Sequence, residues 1–291
     1  MEELRGHIQK AVSSESLRQP FEPVWVSRSS CPTQPSLGMY MPLLCVVAQG
    51  RKQVLLGDEQ YIYDTGHFLL NSVALPAAGQ VLDASPERPH LGITIGLDPA
   101  LVGSVIAEAG LPTPPSSAPL RAMEASPINS ALLDAVVRLA RLFDSPQETT
   151  FLKSLLLREI IYRLLSGPQA ARLHQMVPGM GRTQRIAQVI NWLRSNYDKP
   201  LTIEKLARES GMSPSALHHH FKDVTALSPL RYQKHLRLQE AKRLMVSEGL
   251  DAANAGYRVG YDDPSYFSRD YKQFFGFPPR QHIERLRAEG T

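Results

Sequence analysis

The sequence predicts a multidomain protein: an N-terminal β-barrel or sandwich, an antiparallel helix pair, and an all-α C-terminal domain with two helix-turn-helix units joined by a long helix. Three observations predict this fold class. Short apolar runs broken by Gly, Pro and Asp fill the first part of the 291-residue chain, two amphipathic stripes follow, and a helix–turn–helix pattern then occurs twice. We place the domain limits at residues 1–119, 120–166, 167–182 and 183–291, with the third segment as a linker.

The first segment is predicted to form strands. Residues 53–56 are a strand-like run closed by the turn pair Gly57-Asp58, and residues 61–64 lead through a Thr-Gly turn to residues 68–70. Short strands spaced by about 8–12 residues are typical of an all-β barrel or sandwich. A Pro/Ser stretch at residues 112–119 ends the segment.

Two helical patterns follow in residues 120–166. Apolar residues recur three and four positions apart, as on one face of an amphipathic helix. They are Ile128, Leu132, Leu133, Val136, Val137, Leu139 and Ala140 in the first pattern and Phe151, Leu152, Leu155, Leu156, Ile160 and Leu164 in the second. The turn at residues 144–146 predicts an antiparallel pair, which commonly packs on a barrel or on a second subunit. Gly and Pro then punctuate residues 166–181, which favours a linker.

The first helix-turn-helix unit is predicted after the linker. A helix over Ile203–Glu209 is followed by a turn at Gly211. Ser213-Pro214 is a strong helix start, because Ser caps a helix and Pro fits its first position. The second helix, residues 214–223, carries an apolar pair four positions apart. In such a unit the second helix reads DNA.

The same pattern recurs further along the chain. Gly260 makes the turn and Asp263-Pro264 opens the second helix. A connecting helix is predicted from Ser228-Pro229 to the neighbourhood of Ser247. Its roughly 20 residues span about 30 Å at 1.5 Å per residue, close to the roughly 34 Å between successive major-groove faces. That spacing favours DNA binding over a generic helical bundle.

Exposed side chains of the two second helices are the candidate DNA contacts. The candidates for base reading are Ser215, His218 and His219 in the first unit and Ser265, Ser268 and Arg269 in the second. Arg to guanine is the commonest specific base contact. The candidates for phosphate contact are Lys222, Arg231, Lys234, Arg237, Arg258 and Lys272. Phosphate contacts position a protein without reading sequence. Solvated surface is the alternative for each basic residue.

The charge distribution supports the same division. The net charge is only +4, but residues 182–291 carry 18 Lys and Arg against 12 Asp and Glu, and the rest of the chain is slightly acidic. A basic module attached to a non-basic one is typical of a nucleic-acid-binding protein. No run approaches the roughly 18–20 apolar residues of a membrane span, and residues 1–14 lack a signal-peptide pattern. We therefore expect a cytoplasmic protein with no membrane partner.

Metal and enzyme chemistry are not indicated. The triplet His218-His219-His220 cannot converge on one ion, because neighbours on a helix point about 100° apart. His67 and His90 are isolated in the first segment, which lacks the His-X-His pair of a metal-binding β-barrel enzyme. We expect no metal, no cofactor and no catalytic residues. The rival hypotheses are a ligand-responsive DNA-binding regulator, a regulator whose barrel only dimerises, and a metal-dependent enzyme with an added basic domain.

The C-terminal segment resembles the AraC/XylS family of bacterial regulators. The resemblance rests on residues 206–207, 213–222, 228–229, 237–241, 259–261, 266–272 and 276–279. It implies a sequence-specific regulator of transcription, an activator in our assignment with repression left open. Its partners would be double-stranded promoter DNA and, as a candidate, RNA polymerase.

The N-terminal segment resembles the cupin-like sensor domain of one AraC subgroup. Residues 49–52, 56–58, 63–64 and 75–76 match in order. The resemblance implies a jelly-roll pocket for a small-molecule effector and a homodimer. The tentative pocket residues are Tyr40, Cys45, Tyr61, Tyr63 and Phe68. Cys45 is either a small buried hydrophobe, which we favour, or a sensing thiol.

One departure from the family pattern concerns the second helix-turn-helix unit. Its first helix usually carries bulky aliphatic residues, but Ala252, Ala255 and Gly256 stand there. Gly in a helix interior costs about 0.5–1 kcal/mol relative to Ala, and small side chains bury less area. The sequence therefore predicts that the second unit is the less stable one. Ala226 also stands where the family commonly has Gly.

Overall fold

The computed structural model of the chain describes residues 1–12, 16–111, 120–177 and 182–289. The strands are β1 (Ser16–Phe21), β2 (Val24–Ser29), β3 (Ser36–Tyr40), β4 (Leu43–Gln49), β5 (Arg51–Leu56), β6 (Glu59–Asp64), β7 (His67–Asn71), β8 (Leu75–Asp83), β9 (His90–Gly96) and β10 (Met123–Pro127). The helices are α1 (Glu2–Ala11), α2 (Pro99–Ala109), α3 (Ser130–Arg141), α4 (Pro146–Leu165), α5 (Ala170–Met176), α6 (Arg182–Ser195), α7 (Ile203–Glu209), α8 (Pro214–Thr225), α9 (Pro229–Ser247), α10 (Ala252–Arg258), α11 (Pro264–Phe275) and α12 (Pro279–Glu289).

The strands form two antiparallel sheets that face each other. The six-stranded sheet has the order β1-β2-β9-β4-β7-β10, and the four-stranded sheet has the order β3-β8-β5-β6. Each strand pairing in the described ranges stays within one sheet. The predicted cupin-like fold class is confirmed, in the form of a sandwich whose sheets are not closed into one ring.

β10 lies in the segment for which only a helix pair was predicted. It pairs antiparallel with β7, with Met123 opposite Asn71 and Pro127 opposite His67. The Pro/Ser stretch at residues 112–119, which suggested a domain end, lies outside the described residues. Because β10 is hydrogen-bonded into the six-stranded sheet, we propose to extend the sandwich domain to residue 127.

Helices cover the outer face of the six-stranded sheet. α3 and α4 follow each other through a single 3₁₀ turn at Leu142–Asp144, as the predicted helix pair requires. Buried side chains of this layer include Leu4 and Ile8 of α1 and Leu132 of α3, which pack with sheet residues such as Val46. The segment predicted to be a linker contains α5, which buries Leu173 in the same layer. The rest of that linker, residues 178–181, lies outside the described ranges.

The predicted helix starts of the C-terminal domain are present, and each is capped by its own side chain. The capping oxygens accept backbone N–H bonds as follows: Ser213 from Ala216 (3.2 Å), Ser228 from Arg231 (3.3 Å) and Asp263 from Ser265 (2.6 Å). Pro occupies the first turn of α8, α9 and α11. Such caps satisfy backbone donors that the helix itself leaves unpaired.

The first helix-turn-helix unit, α7 and α8, shares one core with the sandwich. The buried side chains of this shared core include Cys45, Val47, Val54, Leu56, Tyr63, Leu69 and Leu75 from the strands and Ile190, Leu193, Leu206, Leu217, Phe221, Leu227 and Tyr232 from the helices. The Tyr232 hydroxyl of α9 donates to the carbonyl of Ala74 at 2.7 Å. The two parts therefore exclude water from one continuous apolar volume.

The second helix-turn-helix unit, α10 and α11, has a separate core with α9 and α12. Its buried members are Leu238, Ala241, Leu244, Met245, Ala255, Val259, Phe267, Tyr271 and Ile283. A Cβ atom on Gly256 would lie 2.9 Å from Cγ of Phe267, so the small residue lets that ring approach the α10 backbone. Gly256 thus has a packing role that its helix propensity does not reveal. The lower stability of this unit stays a prediction.

Ala226, at the end of α8, is the non-glycine residue with positive φ in the described ranges (φ 58°). A left-handed conformation costs an L-residue roughly 1–2 kcal/mol, whereas Gly adopts it without strain. We expect Ala226→Gly to raise the free energy of unfolding by about 1 kcal/mol, measured as a higher urea midpoint of the full chain. Ala216→Gly, within α8, is the matched control and should lower the midpoint. A fall with Ala226→Gly would contradict this assignment of strain.

Candidate nucleic-acid interface

The first candidate reading surface lies on α8. Ser215, His218, His219 and Lys222 line one open, shallow surface together with residues at the starts of α7 and α8. All four are exposed. The three predicted base-reading residues are therefore brought together, with a predicted phosphate contact at their edge. Nε2 of His219 lies 3.3 Å from a carboxylate oxygen of Asp223.

The second candidate reading surface lies on α11. Ser265 and Arg269 are exposed and Ser268 is half-buried. The guanidinium of Arg269 lies over the ring of Tyr266, 4.6 Å from its centroid. Tyr266 is itself 56% exposed, so this stack stands at the surface and holds the arginine fork in place for a planar partner.

The predicted phosphate contacts fall into two groups. Lys222, Arg231, Arg258 and Lys272 are exposed, as a phosphate contact requires. Lys234 instead pairs with Asp270 of α11 at 2.9 Å. Ion pairing with Asp270 ties α9 to the second reading helix and offsets the charge that Lys234 would offer to DNA.

Arg237 has a different place from the one predicted. Its guanidinium donates to four backbone carbonyls inside the protein, those of Tyr197, Asp198, Lys199 and Gly260. Burial lowers the pKa of Arg237 from its usual value, although an arginine stays charged. With its donors used internally, Arg237 is a structural residue rather than a phosphate contact.

Arg121 is a residue that the sequence did not single out. Its guanidinium donates to the carbonyls of Lys222 and Asp223 at the end of α8 and pairs with Glu59 of β6. The neighbouring N–H of Ala122 donates to Val224 at 3.0 Å. Free carbonyls at a helix end carry partial negative charge, so a cation there is stabilising. No local sequence signal marks this contact, because its partners are about a hundred positions away.

The tentative effector residues do not all face the same way. Phe68 points to the helical layer on the outer face of the six-stranded sheet, so its predicted place in the pocket is wrong. Cys45 and Tyr63 belong to the shared core, and Tyr40 and Tyr61 pack against it. Burial raises the pKa of Tyr63 well above its ordinary value, which leaves a neutral hydroxyl there. Sγ of Cys45 lies 3.3 Å from Oγ1 of Thr94.

A cavity of about 400 Å³ opens at the end of the sandwich, where strand ends and loops face α6. Its lining residues are Pro23, Met41, Pro42, Ser72, Val73, Ala74, Gly96, Leu97, Asp98, Pro99, Met176, Ala187, Ile190, Asn191 and Arg194. The volume lies within the usual range for small-molecule sites. Arg194 is exposed and makes no hydrogen bond or ion pair within the described ranges. The cavity thus combines an apolar wall with the guanidinium of Arg194 and the carboxylate of Asp98, whose Oδ1 accepts from the N–H of Ala100 at 2.9 Å.

The described residues contain neither a cluster of metal ligands nor a helix that could span a membrane. Within them, no three His, Cys, Asp or Glu side chains come close enough to hold a metal ion. Cys31 is exposed and Cys45 is buried, and both are free thiols. None of the helices in the described ranges is long and apolar enough to cross a membrane.

Two known protein-family models match the chain, one in its N-terminal part and one in its C-terminal part. The family model of the AraC-type transcriptional regulator N-terminus matches residues 20–172, more than half of the chain. The chain belongs to the AraC-type transcriptional regulators. A helix-turn-helix domain model also matches residues 206–285 of this AraC-type protein, which covers both reading surfaces.

Similar curated proteins include HTH-type transcriptional activators. The HTH-type transcriptional activator RhaS of Enterobacter sp. (strain 638) is 27% identical over 155 residues, 53% of this chain and 55% of RhaS. RhaS of Mannheimia succiniciproducens is 30% identical over 123 residues, 42% of this chain and 45% of RhaS. The chain spans about half the length of the curated relatives it matches.

Solved structures support the fold over about nine-tenths of this AraC-type chain. ToxT of Vibrio cholerae superposes with a TM-score of 0.59 at 10% identity, covering 89% of this chain and 97% of ToxT. ToxT with a bound unsaturated fatty acid gives a TM-score of 0.58 at 10% identity, covering 91% and 96%. At this identity the similarity concerns the arrangement of sandwich and helices alone.

Two variants on α11 test whether the second reading surface contacts DNA as predicted. Arg269→Ala should cost about 1–3 kcal/mol of binding and relax discrimination at one base position. Lys272→Ala should weaken binding to all DNA sequences alike, and it should lower the slope of log affinity against log salt concentration by about one unit. The measurement is affinity against salt on DNA selected from a random pool by the full chain. Arg243→Ala removes an arginine already paired with two glutamates and should change neither quantity. Uniform weakening by Arg269→Ala would reclassify Arg269 as a phosphate contact.

Proposed function

We propose that this AraC-type protein is a sequence-specific DNA-binding activator of transcription in which α8 and α11 each enter a major groove of promoter DNA. The observation that carries the proposal is the pair of exposed reading surfaces on two helix-turn-helix units that one continuous helix, α9, joins. α9 has 19 residues and so spans about 28 Å, near the roughly 34 Å between successive groove faces. Similarity to RhaS, an activator, supports the direction of regulation.

Each predicted contact keeps a role in this proposal except Arg237. Base edges would meet Ser215, His218 and His219 from α8 and Ser265, Ser268 and Arg269 from α11. The phosphate contacts would be Lys222, Arg231, Arg258 and Lys272. Lys234 would contact a phosphate while its ammonium also pairs with Asp270. An activator acts through RNA polymerase, which is the second macromolecular partner that this function requires. We place the protein in the cytoplasm, as a regulator without enzymatic activity.

We further propose that the effector is an apolar monocarboxylate held in the cavity between the sandwich and α6. Apolar lining would take the hydrocarbon part, and the available guanidinium of Arg194 would take the carboxylate. ToxT has been solved with an unsaturated fatty acid, which supports this ligand class. The five tentative pocket residues lie outside the lining of this cavity.

Packing contacts connect that cavity to the first reading helix. α6 lines the cavity with Ile190 and Arg194, and Ile190 also belongs to the shared core that buries Phe221 of α8. Arg121 holds the far end of α8 to the sandwich. A ligand that changes the spacing between sandwich and α6 would therefore shift α8 relative to DNA. Affinities for effector and DNA would be coupled in both directions.

Thermal stability with added oleate tests the effector site. Oleate should raise the melting temperature of the full chain, because a ligand that binds the native state stabilises it. Oleyl alcohol, which lacks the carboxylate, should raise it less, and Arg194→Met should remove the difference. Lys205→Met on α7, outside the cavity, is the control. An equal effect of both compounds on the unaltered chain would remove Arg194 from the site, and no effect of either would support a sandwich that serves dimerisation alone.

We also propose a homodimer that pairs two copies of α4. Phe151, Leu155 and Tyr162 are 71%, 50% and 40% exposed and share one face of the helix, beside Leu152. A contiguous exposed apolar face marks an interaction site, and a twofold dimer buries the same face from both copies.

Sedimentation of a charged variant tests this dimer. Phe151→Lys with Leu155→Lys should convert a dimer to a monomer, because each copy would bring like charges to the twofold axis. Leu230→Lys, at a 56% exposed position of α9, should leave the mass unchanged. A dimer that persists in the double variant, or an unaltered chain that sediments as a monomer, would contradict the proposed interface.

A further inference from the structure

We propose that Arg237 is a positioning residue that fixes the two reading helices at one angle, so that the protein accepts a two-part DNA site of one spacing only. This inference rests on the proposed DNA-binding function. It assigns to Arg237 a role in specificity that involves no contact with DNA.

The carbonyls that Arg237 binds lie at the entry to the first helix-turn-helix unit and in the second. Nε donates to Tyr197 at 2.7 Å, and Nη2 donates to Asp198 at 3.2 Å and to Lys199 at 3.0 Å. These three residues lie in the connection between α6 and α7, just before the first unit begins. Nη1 donates to Gly260 at 2.8 Å, in the turn of the second unit. One planar side chain on the connecting helix therefore bonds the entry to the first unit and the turn of the second at once.

The two units also touch backbone to backbone at this junction. A Cβ atom on Gly260 would lie 2.1 Å from the carbonyl oxygen of Asp198, and Gly260 has φ 90°. Only a glycine fits such an approach. Tyr197 packs against both the shared core and the core of the second unit. We call Arg237, Gly260 and residues 197–199 the junction.

Other contacts of α9 extend the junction on either side. Nε2 of Gln233 donates to the carbonyl of Lys199 at 2.8 Å. Lys234 pairs with Asp270 of α11, and the hydroxyl of Tyr261 donates to the same carboxylate at 3.2 Å. The guanidinium of Arg237 also lies 5.8 Å from the ring centroid of Tyr261. The second unit is thus held by the flank of α9 as well as by its end.

A rigid link changes how the two halves of a DNA site add up. Binding of one unit raises the effective concentration of the other, and the gain is large only if the geometry allows both to bind together. Two rigidly linked units gain the full affinity of simultaneous binding at one distance between the half-sites and lose that affinity at other distances. Two units that pivot gain less affinity at the best distance but bind sites with a wider range of distances.

Three DNAs test the inference with the full chain. The first carries the two-part site selected from a random pool by the unaltered chain, the second has its second half scrambled, and the third has two base pairs inserted between the halves. For the unaltered chain, the insertion should weaken binding about 100-fold. For Arg237→Ala, the insertion should weaken binding about fivefold, with affinity for the scrambled site unchanged within about twofold.

Arg237→Lys and Gly260→Ala separate positioning from charge and from folding. Lysine keeps the charge but presents one compact ammonium in place of the fork, so it should behave like alanine in the insertion assay. Gly260→Ala forces the same two backbones apart and should show the same tolerance of the insertion. Arg243→Ala, on an exposed arginine of the same helix, should retain the full penalty. Circular dichroism melts show which variants are folded, and any one folded junction variant suffices for the comparison.

The outcomes distinguish this inference from the proposed function. A full insertion penalty in a folded junction variant overturns the positioning role while leaving DNA binding intact. A salt slope lowered by about one unit in Arg237→Ala makes Arg237 a phosphate contact instead. If the unaltered chain selects no DNA sequence, the proposed function and this inference both fall.

Discussion

The apolar core that the sandwich shares with α7 and α8 governs the rest of the architecture. Leu217 and Phe221 of α8 are buried among residues that also include Tyr63 and Leu69 of the strands. Separating the two parts would expose this surface to water, at a free-energy cost of about 25 cal/mol for each Å² of apolar area. The first reading helix is consequently part of the sandwich's packing rather than a module on a flexible tether. Any change inside the sandwich is felt at α8 because close-packed interiors transmit displacement.

The second unit stands outside that core, and its attachment is of a different kind. Its own buried cluster is small, and Gly256 allows Phe267 to reach the α10 backbone. Besides the ring of Tyr197, which packs against both cores, its connections to the first unit are polar: Arg237 with its carbonyls and Lys234 with Asp270. Directional bonds fix an angle better than apolar contact does, because they weaken steeply when bent. The protein therefore combines an apolar joint near the cavity beside α6 with a largely polar joint between α8 and α11.

The sequence predicted the features that local chemistry determines. Ser213-Pro214 and Asp263-Pro264 marked the reading helices, because caps and proline act within one helical turn. Features that depend on distant partners were missed or misjudged. Arg237 looked like any basic residue on an exposed helix until the carbonyls beside it were known. Phe68 was wrongly placed in the pocket. The alternation of side chains along a strand shows that the strand has two faces, but it does not show which face points into the sandwich.

α9 passes through both joints as one uninterrupted helix, and this has a consequence for how such a regulator changes over generations. Adding or deleting one residue in α9 turns everything beyond it by about 100° and shifts it by about 1.5 Å. An indel between Tyr232 and Arg237 would carry the guanidinium away from its carbonyls, and one after Arg237 would swing α11 around the rod. In the proposed mode of binding, a promoter that gains one base pair between its half-sites cannot be matched by adding or deleting one residue of α9. We therefore expect the base sequence of such operators to change over generations, while the number of base pairs between the half-sites stays the same.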